Sequence, residues 1–348
     1  MRKRLTSKGL KRIKKLSRYK ACLVLLASMG VSGGPLVEGV QAAAQTAQAA
    51  EELAKKDSLK QDPLKQDPTE QNPLKQGQSS SVTDLAEADR AIAQGIEFIR
   101  NGDVLAAINA FEVAVQLDPG SAAGQYNLGL ALRQNNQLQA AASAFWLATQ
   151  ADPAFTLAYV NLGAALLEGD NLEQADAYLT RALAIDPAMG LAHYNVGLLR
   201  RRQGNDAAAF EAFGNAIAHS PSAPESHYQI GLIYQEQNEH TKARQAFQNA
   251  IDIDFNYPEA HYNLGVSFIR QNSPETAIIA FTRATDLEPT FGHAHYALGL
   301  ALADLARYEE ALSQLQTASN VYIAKGDSQW ANIAQQQIAL IENLQVDL

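Results

Sequence analysis

Cysteine is nearly absent: Cys22 is the only one in 348 residues, so a chain cut after it holds neither disulfide nor thiol nucleophile. That fits an oxidising compartment without requiring one. Long apolar runs are missing as well. Residues 21–37 are uncharged but broken by Gly30, Gly33, Gly34 and Pro35, and they fall short of the ~20 residues a membrane-spanning helix needs. There is no phosphate-binding loop, no dinucleotide fingerprint, no His-Glu-x-x-His and no Gly-x-Ser-x-Gly. These absences leave no expected catalytic, cofactor-binding or metal residue, and they point away from an enzyme.

Charge is distributed unevenly. Residues 1–20 carry ten Lys or Arg and no acid, the uncharged stretch 21–37 follows, and Val40 and Ala42 sit at the −3 and −1 positions of a cut after Ala42. A basic start, a short apolar run and small residues read as a secretory signal peptide over 1–42, with an uncleaved membrane anchor as the alternative. No Arg-Arg pair precedes the apolar run, and Cys22 lies at its start, where it is badly placed to receive a lipid. Residues 1–42 hold ten of the 28 basic residues and one of the 37 acids, Glu38, which leaves 18 bases against 36 acids. A surface this acidic repels nucleic-acid phosphates and anionic lipids. The expected destination is therefore the periplasm or a comparable lumen, with membrane contact only through an uncleaved N-terminus and no nucleic-acid partner.

Residues 43–82 turn to Ala, Gln, Lys, Pro and Ser, with a five-residue repeat, LKQDP-LKQDP-TEQNP-LKQGQ, from Leu59 to Gln78. Such a segment has too few large apolar groups to offset its ordering entropy, so it reads as a disordered linker. Pro63, Pro68 and Pro73 stiffen it toward polyproline II.

Beyond it the chain has a strict period. Gly95, Gly129, Gly163, Gly197, Gly231, Gly265 and Gly299 are each 34 residues apart. An alanine follows twelve residues after each glycine, from Ala107 to Ala311. Four residues later comes Phe111, Phe145, Leu179, Phe213, Phe247, Phe281 or Leu315. A second alanine recurs from Ala114 to Ala318, and Pro119, Pro153, Pro187, Pro221 and Pro289 close most units. This pattern resembles the tetratricopeptide repeat (TPR) family over residues 88–325. It departs from the family at repeat position 4, where the usual Trp is replaced by Ala91, Gln125, Tyr159 and then His193, His227, His261 and His295. Phe255 replaces the closing proline of the fifth repeat, and a looser turn is expected there.

The physics of one unit accounts for the pattern. Positions 4, 7, 8 and 11 make the apolar stripe of a first helix. The small residues at 8 and 20 let two helices approach closely, and the large residue at 24 fills the gap toward the next unit. Asn101-Gly102-Asp103, Gly169-Asp170-Asn171 and Gly204-Asn205-Asp206 separate the helices. A lone helix pair cannot bury its apolar face, so the units must stack. The expected fold is all-α, an α-solenoid of seven repeats over 83–325, and the resemblance implies a right-handed superhelix. Residues 326–348 read as a capping helix, N-capped by Asp327 and apolar at Trp330, Ile333, Ile338, Ile341 and Leu344.

The four histidines invite a metal reading, but equivalent positions on stacked units lie ~10 Å or more apart, whereas ligand nitrogens must sit ~2.0–2.1 Å from a shared ion. They read as packing residues. Positions 5 and 6 are different. Tyr126, Tyr194, Tyr228, Tyr262 and Tyr296 occupy the first, and Asn127, Asn161, Asn195, Gln229 and Asn263 the second. In the family this stripe lines a concave groove, and the series resembles the asparagine ladder in the TPR half of the O-GlcNAc transferases. An amide both donates and accepts, so such a ladder can serve the backbone of an extended peptide, while tyrosine adds rigid contact area. These ten residues, together with Arg201 and Arg202 of the Arg200-Arg201-Arg202 cluster, are the expected partner-binding set, and Arg133 stands two units earlier. The cations suit an acidic side chain or a C-terminal carboxylate, although a solvated basic edge would look the same. The resemblance implies a non-enzymatic scaffold that binds extended segments of other proteins. Its alternatives are a membrane-anchored assembly factor for an envelope complex and a non-catalytic targeting subunit of an enzyme such as a glycosyltransferase complex.

Overall fold

A computed structural model describes residues 81–346, with side chains through residue 343. The expected signal peptide, nearly all of the expected linker and the side chain of Leu344 lie outside these residues. The described residues form α-helices and no strand: α1 (Val82–Arg100), α2 (Val104–Leu117), α3 (Ala122–Gln134), α4 (Leu138–Ala151), α5 (Thr156–Glu168), α6 (Leu172–Ile185), α7 (Gly190–Arg202), α8 (Asp206–His219), α9 (Pro224–Glu236), α10 (His240–Ile253), α11 (Pro258–Arg270), α12 (Pro274–Leu287), α13 (Gly292–Asp304), α14 (Tyr308–Ala324) and α15 (Ser328–Val346). They fall into two compact units. One holds α1–α8 and ends at Pro221; the other runs from Ser222 and holds α9–α15. Within each, helix pairs stack one on the next as an α-solenoid.

α1 begins at Val82, ahead of the repeat register at residue 88. Ser81 and Asp84 form a reciprocal cap: Asp84 N–H donates to Ser81 Oγ at 3.1 Å, and Ser81 N–H to Asp84 Oδ2 at 2.9 Å.

Each first helix ends in the same way. Position 15 of every repeat has a positive φ, at Gly102, Asn136, Asp170, Gly204, Asn238, Asn272 and Ala306. The next N–H then reaches back to the carbonyl five residues earlier, as Asp103 does to Phe98 at 2.9 Å and Asn171 to Leu166 at 2.8 Å. This Schellman closure satisfies carbonyls that the helix end would otherwise leave open.

Second helices end on an aspartate more than on the proline after it. Oδ1 of Asp118, Asp152, Asp186 and Asp254 each accepts from the N–H two residues on, at 2.9–3.2 Å. Asp254 precedes Phe255 rather than Pro, yet its backbone (φ −126°, ψ 100°) matches that of Asp152 (φ −132°, ψ 98°). The looser turn expected at Phe255 does not form, because the Asp-to-backbone bond holds it.

Packing within a unit rests on the position-8 glycine against the position-24 side chain. A Cβ added at Gly265 would lie 2.5 Å from the Phe281 ring, and one at Gly129 would lie 2.6 Å from Phe145. These phenylalanines are almost fully buried, so the pairing is steric and unforgiving. At the C-terminus, Trp330 N–H donates to Asp327 Oδ1 at 3.0 Å. The Trp330 ring packs on His293, Tyr296 and Tyr322 at centroid distances of 4.7–5.7 Å. Ile341 is fully buried and Ile333 and Ile338 pack beside it, so α15 covers the apolar face left by the last helix pair.

Candidate interaction surface

Three of the four position-4 histidines cap the turn before their helix. Nε2 of His193, His261 and His295 donates to the carbonyl of Pro187, Phe255 and Pro289 at 2.9, 3.0 and 3.1 Å. In each case the acceptor lies six residues earlier, in the turn from the preceding repeat, where an open carbonyl needs a donor. Burial holds His227 and His261 below the ordinary imidazole range. Among the described residues no three His, Cys, Asp or Glu side chains gather as a metal site would require.

The tyrosines at position 5 lie deeper than expected. Tyr126, Tyr194, Tyr228 and Tyr262 set their rings 5.7–5.8 Å from Phe145, Phe213, Phe247 and Phe281 of their own repeats. Three of them also meet the aromatic that N-caps the first helix of the next repeat, Phe155, Tyr257 or Phe291, at 4.9–5.2 Å. Tyr262 is 1 % exposed and Tyr228 and Tyr296 are buried too, whereas Tyr126 and Tyr194 are half-buried. Expected as open contact area, the buried rings instead join one repeat to the next. The reason is steric: beside a glycine at position 8 the position-24 ring rises to the first helix, and the position-5 ring lies against it there. Burial also raises the Tyr126 hydroxyl above its usual range, with Arg133 opposing.

The amides are likewise committed. Nδ2 of Asn127, Asn161, Asn195 and Asn263 donates to the carbonyl four residues back, Ala123, Leu157, Leu191 and Glu259, at 2.8–3.0 Å. A carbonyl can only accept, so the nitrogen must face it, and the amide oxygen is left pointing away. Nδ2 of Asn161 and Asn263 donates again, to the hydroxyls of Tyr126 and Tyr228 at 3.2 and 3.1 Å. Asn161, Asn195 and Asn263 are buried, while Asn127 and Gln229 are half-buried. The ladder was expected both to donate and to accept; in the folded chain each of these four asparagines gives at least one donor to the protein, and Asn161 and Asn263 give two. Their oxygens suit the N–H groups of an extended backbone.

The cations are also partnered. Arg133 makes a forked pair with Glu168 of the next repeat, its Nε 3.1 Å from both carboxylate oxygens, and its Nη1 lies 3.4 Å from Asn161 Oδ1. Arg200 pairs with Asp176 at 2.9 Å, and Arg202 pairs loosely with Asp170 at 3.3 Å, both partners well exposed. Arg201 is half-buried. The open basic cluster expected around 200–202 is thus largely neutralised by acids of neighbouring elements. Sequence reading missed Glu168 and Asp176. Glu168 was findable, since it stands 35 residues after Arg133, the spacing of Tyr126 to Asn161.

Family models described as tetratricopeptide repeat match residues 92–154, 160–227 and 262–320, and one described as TPR repeat matches 231–272. No curated protein matches the chain in sequence. Among solved structures, a chain of the APC/C hetero-tetramer Cut9–Hcn1 is similar at 18 % identity and a TM-score of 0.56, covering 62 % of this chain, which spans only 43 % of that one. A repeat protein from Parabacteroides merdae is similar at 15 % identity and a TM-score of 0.53, covering 74 % of this chain and 99 % of its own. Pseudomonas aeruginosa pilF is similar at 18 % identity and a TM-score of 0.52, covering 61 % and 96 %.

Proposed function

We propose that this chain, which belongs to the tetratricopeptide repeat family, is a non-enzymatic scaffold that binds extended segments of other proteins along its first-helix faces. The observation that carries this reading is the series of first-helix amides whose nitrogens are held by the carbonyls four residues back, which leaves their oxygens as the acceptors. Fixed acceptors with no rotational freedom left to lose suit repeated backbone N–H groups and make few demands on side chains. Solvent reaches the rim of this surface at Asn127, Gln229 and Arg202. The basic and uncharged segments of residues 1–42 support work outside the cytoplasm, in a periplasm or comparable lumen.

The test is affinity capture from the native cell-envelope fraction, run with the wild-type chain and with a rim variant combining Asn127→Ala, Gln229→Ala and Arg202→Gln. Partners should be lost from the variant at least tenfold while its melting temperature stays within a few degrees. Equal recovery of the same partners by both chains would show that binding lies elsewhere. Recovery of a stoichiometric catalytic partner would move the reading to a targeting subunit.

A further inference from the structure

The two units carry the same local arrangement, three repeats apart, with one charge reversed. In the first, Tyr126, Asn161, Arg133 and Glu168 form a closed network: Asn161 donates to Tyr126, its Oδ1 faces Arg133, and Arg133 forks onto Glu168. In the second, the matching positions hold Tyr228, Asn263, Gln235 and Arg270. The Asn263–Tyr228 bond is kept at 3.1 Å, but the network stops there. Asn263 Oδ1, Gln235 Oε1 and Arg270 Nε are buried and have no hydrogen-bond partner among the described residues. Asn263 is 1 % exposed and Gln235 is 9 % exposed. The cation has moved from position 12 to position 13, into the place of the carboxylate, and no acid has come to meet it. Burial alone pulls Arg270 below its usual range, and His240, whose buried Nδ1 is also unpartnered, is lowered by burial and then by Arg270.

A native fold rarely leaves three such atoms open at the positions that form a bonded network in another pair of repeats, because each costs the desolvation of an unmet hydrogen bond. We infer that the Gln235–Asn263–Arg270 cluster of the second unit is a recognition pocket for an Asp or Glu residue within an extended segment of a partner. This rests on the groove reading above and gives it a side-chain preference. The chemistry is complementary on both counts. The guanidinium takes the carboxylate as a charge-assisted pair, and the two amide oxygens accept from backbone N–H groups. A free carboxylate answers the guanidinium but brings no donors, and its charge would sit against the two oxygens. A residue of a peptide supplies both. The chain's overall negative charge offers no long-range attraction, so the selection is local.

Binding is measured by fluorescence polarisation with the full chain and dye-labelled decapeptide pools, randomised except for a central Glu, Gln or Lys. The Glu pool should bind about tenfold more tightly than the Gln pool, the scale of one charge-assisted bond, and the Lys pool should bind most weakly. Arg270→Glu should invert the Glu–Lys order, and Arg270→Lys should keep it in weakened form. Wild-type chain that treats the Glu and Gln pools alike would overturn the pocket, even if Arg270→Glu failed to fold. If all pools bind equally and the rim variant weakens them together, the groove stands and only the acidic preference falls. If no pool binds the wild-type chain at any accessible concentration, the groove reading falls and takes the pocket with it.

Discussion

The side-chain amide of Asn263 donates to the hydroxyl of Tyr228, 35 residues earlier, at 3.1 Å. Both side chains are buried, and the bond ties the first helix of one repeat to that of the next. Asn127, by contrast, is half-buried and its amide donates only to its own helix. Asn263→Ala should therefore cost about 2–3 kcal/mol, since it strips a buried hydroxyl of its donor as well as leaving a gap. Tyr228→Phe should cost about 1–2 kcal/mol, and Asn127→Ala less than about 0.5 kcal/mol. Urea unfolding at constant m resolves these values. Equal losses for Asn263→Ala and Asn127→Ala would show the inter-repeat bond to be idle.

Two glycines in helix interiors should respond to alanine with opposite signs. At Gly265 the new methyl would lie 2.5 Å from the Phe281 ring, so the ring or the helix must shift, at about 1–3 kcal/mol. At Gly214, exposed in the middle of α8, an added methyl meets nothing within 4 Å. There alanine only improves helix propensity, and Gly214→Ala should stabilise by about 0.5–1 kcal/mol. Thermal melts of the two variants should move in opposite directions; a rise in both would mean that the position-8 contact has slack.

What the sequence makes legible follows the range of the interaction. The glycine at position 8, the alanine at 20 and the aromatic at 24 restate one steric contact every 34 residues, so the helix pairs and their stacking could be read before any coordinates. The Tyr–Asn stripe was legible as a second face but not in its orientation. Whether Tyr262 points to solvent or into the joint depends on Phe281 of the second helix and on Phe291, which caps the first helix of the next repeat. The turn at Phe255 was misjudged because the proline it replaces is conspicuous, while the stabilising partner is the aspartate before it. The loss of the Arg133–Glu168 pair at Gln235 and Arg270 was written at fixed positions all along, but its meaning required knowing that positions 12 and 13 of successive repeats face each other.

Ala306 is the one residue at position 15 that is neither Gly, Asn nor Asp, and its φ is 58°. A methyl group in the left-handed region costs about 1–2 kcal/mol, and the turn geometry leaves Ala306 no alternative. Ala306→Gly should remove that strain, offset in part by the greater freedom of glycine in the unfolded chain, for a net gain of about 0.5–1 kcal/mol. Ala306→Val should lose more than 1 kcal/mol, as a β-branched side chain fits this region worst. A drop in melting temperature for Ala306→Gly would show that the methyl contributes packing that outweighs its backbone strain.

Acid should weaken the fold before its carboxylates titrate. Burial holds His227, His240 and His261 below the ordinary imidazole range. The unfolded chain therefore binds protons at these sites at a pH where the folded chain does not. Stability from them is complete above the unfolded value of about 6.5 and is lost as pH falls from there toward the lower folded values. Glu259 works the other way: burial raises it, so it takes up its proton more readily in the fold and favours folding as pH drops through the carboxylate range. Measuring urea stability from pH 8 down to about 5.5 keeps the histidines in view and most carboxylates out of it. His261→Gln removes one of the three titrations and retains a donor for the Phe255 carbonyl, which His261 meets at 3.0 Å. The variant should match the wild type to within about 1 kcal/mol at pH 8 and lose less on acidification, and adding His227→Gln should flatten the profile further. An unchanged slope in the double variant would place the acid sensitivity outside these histidines.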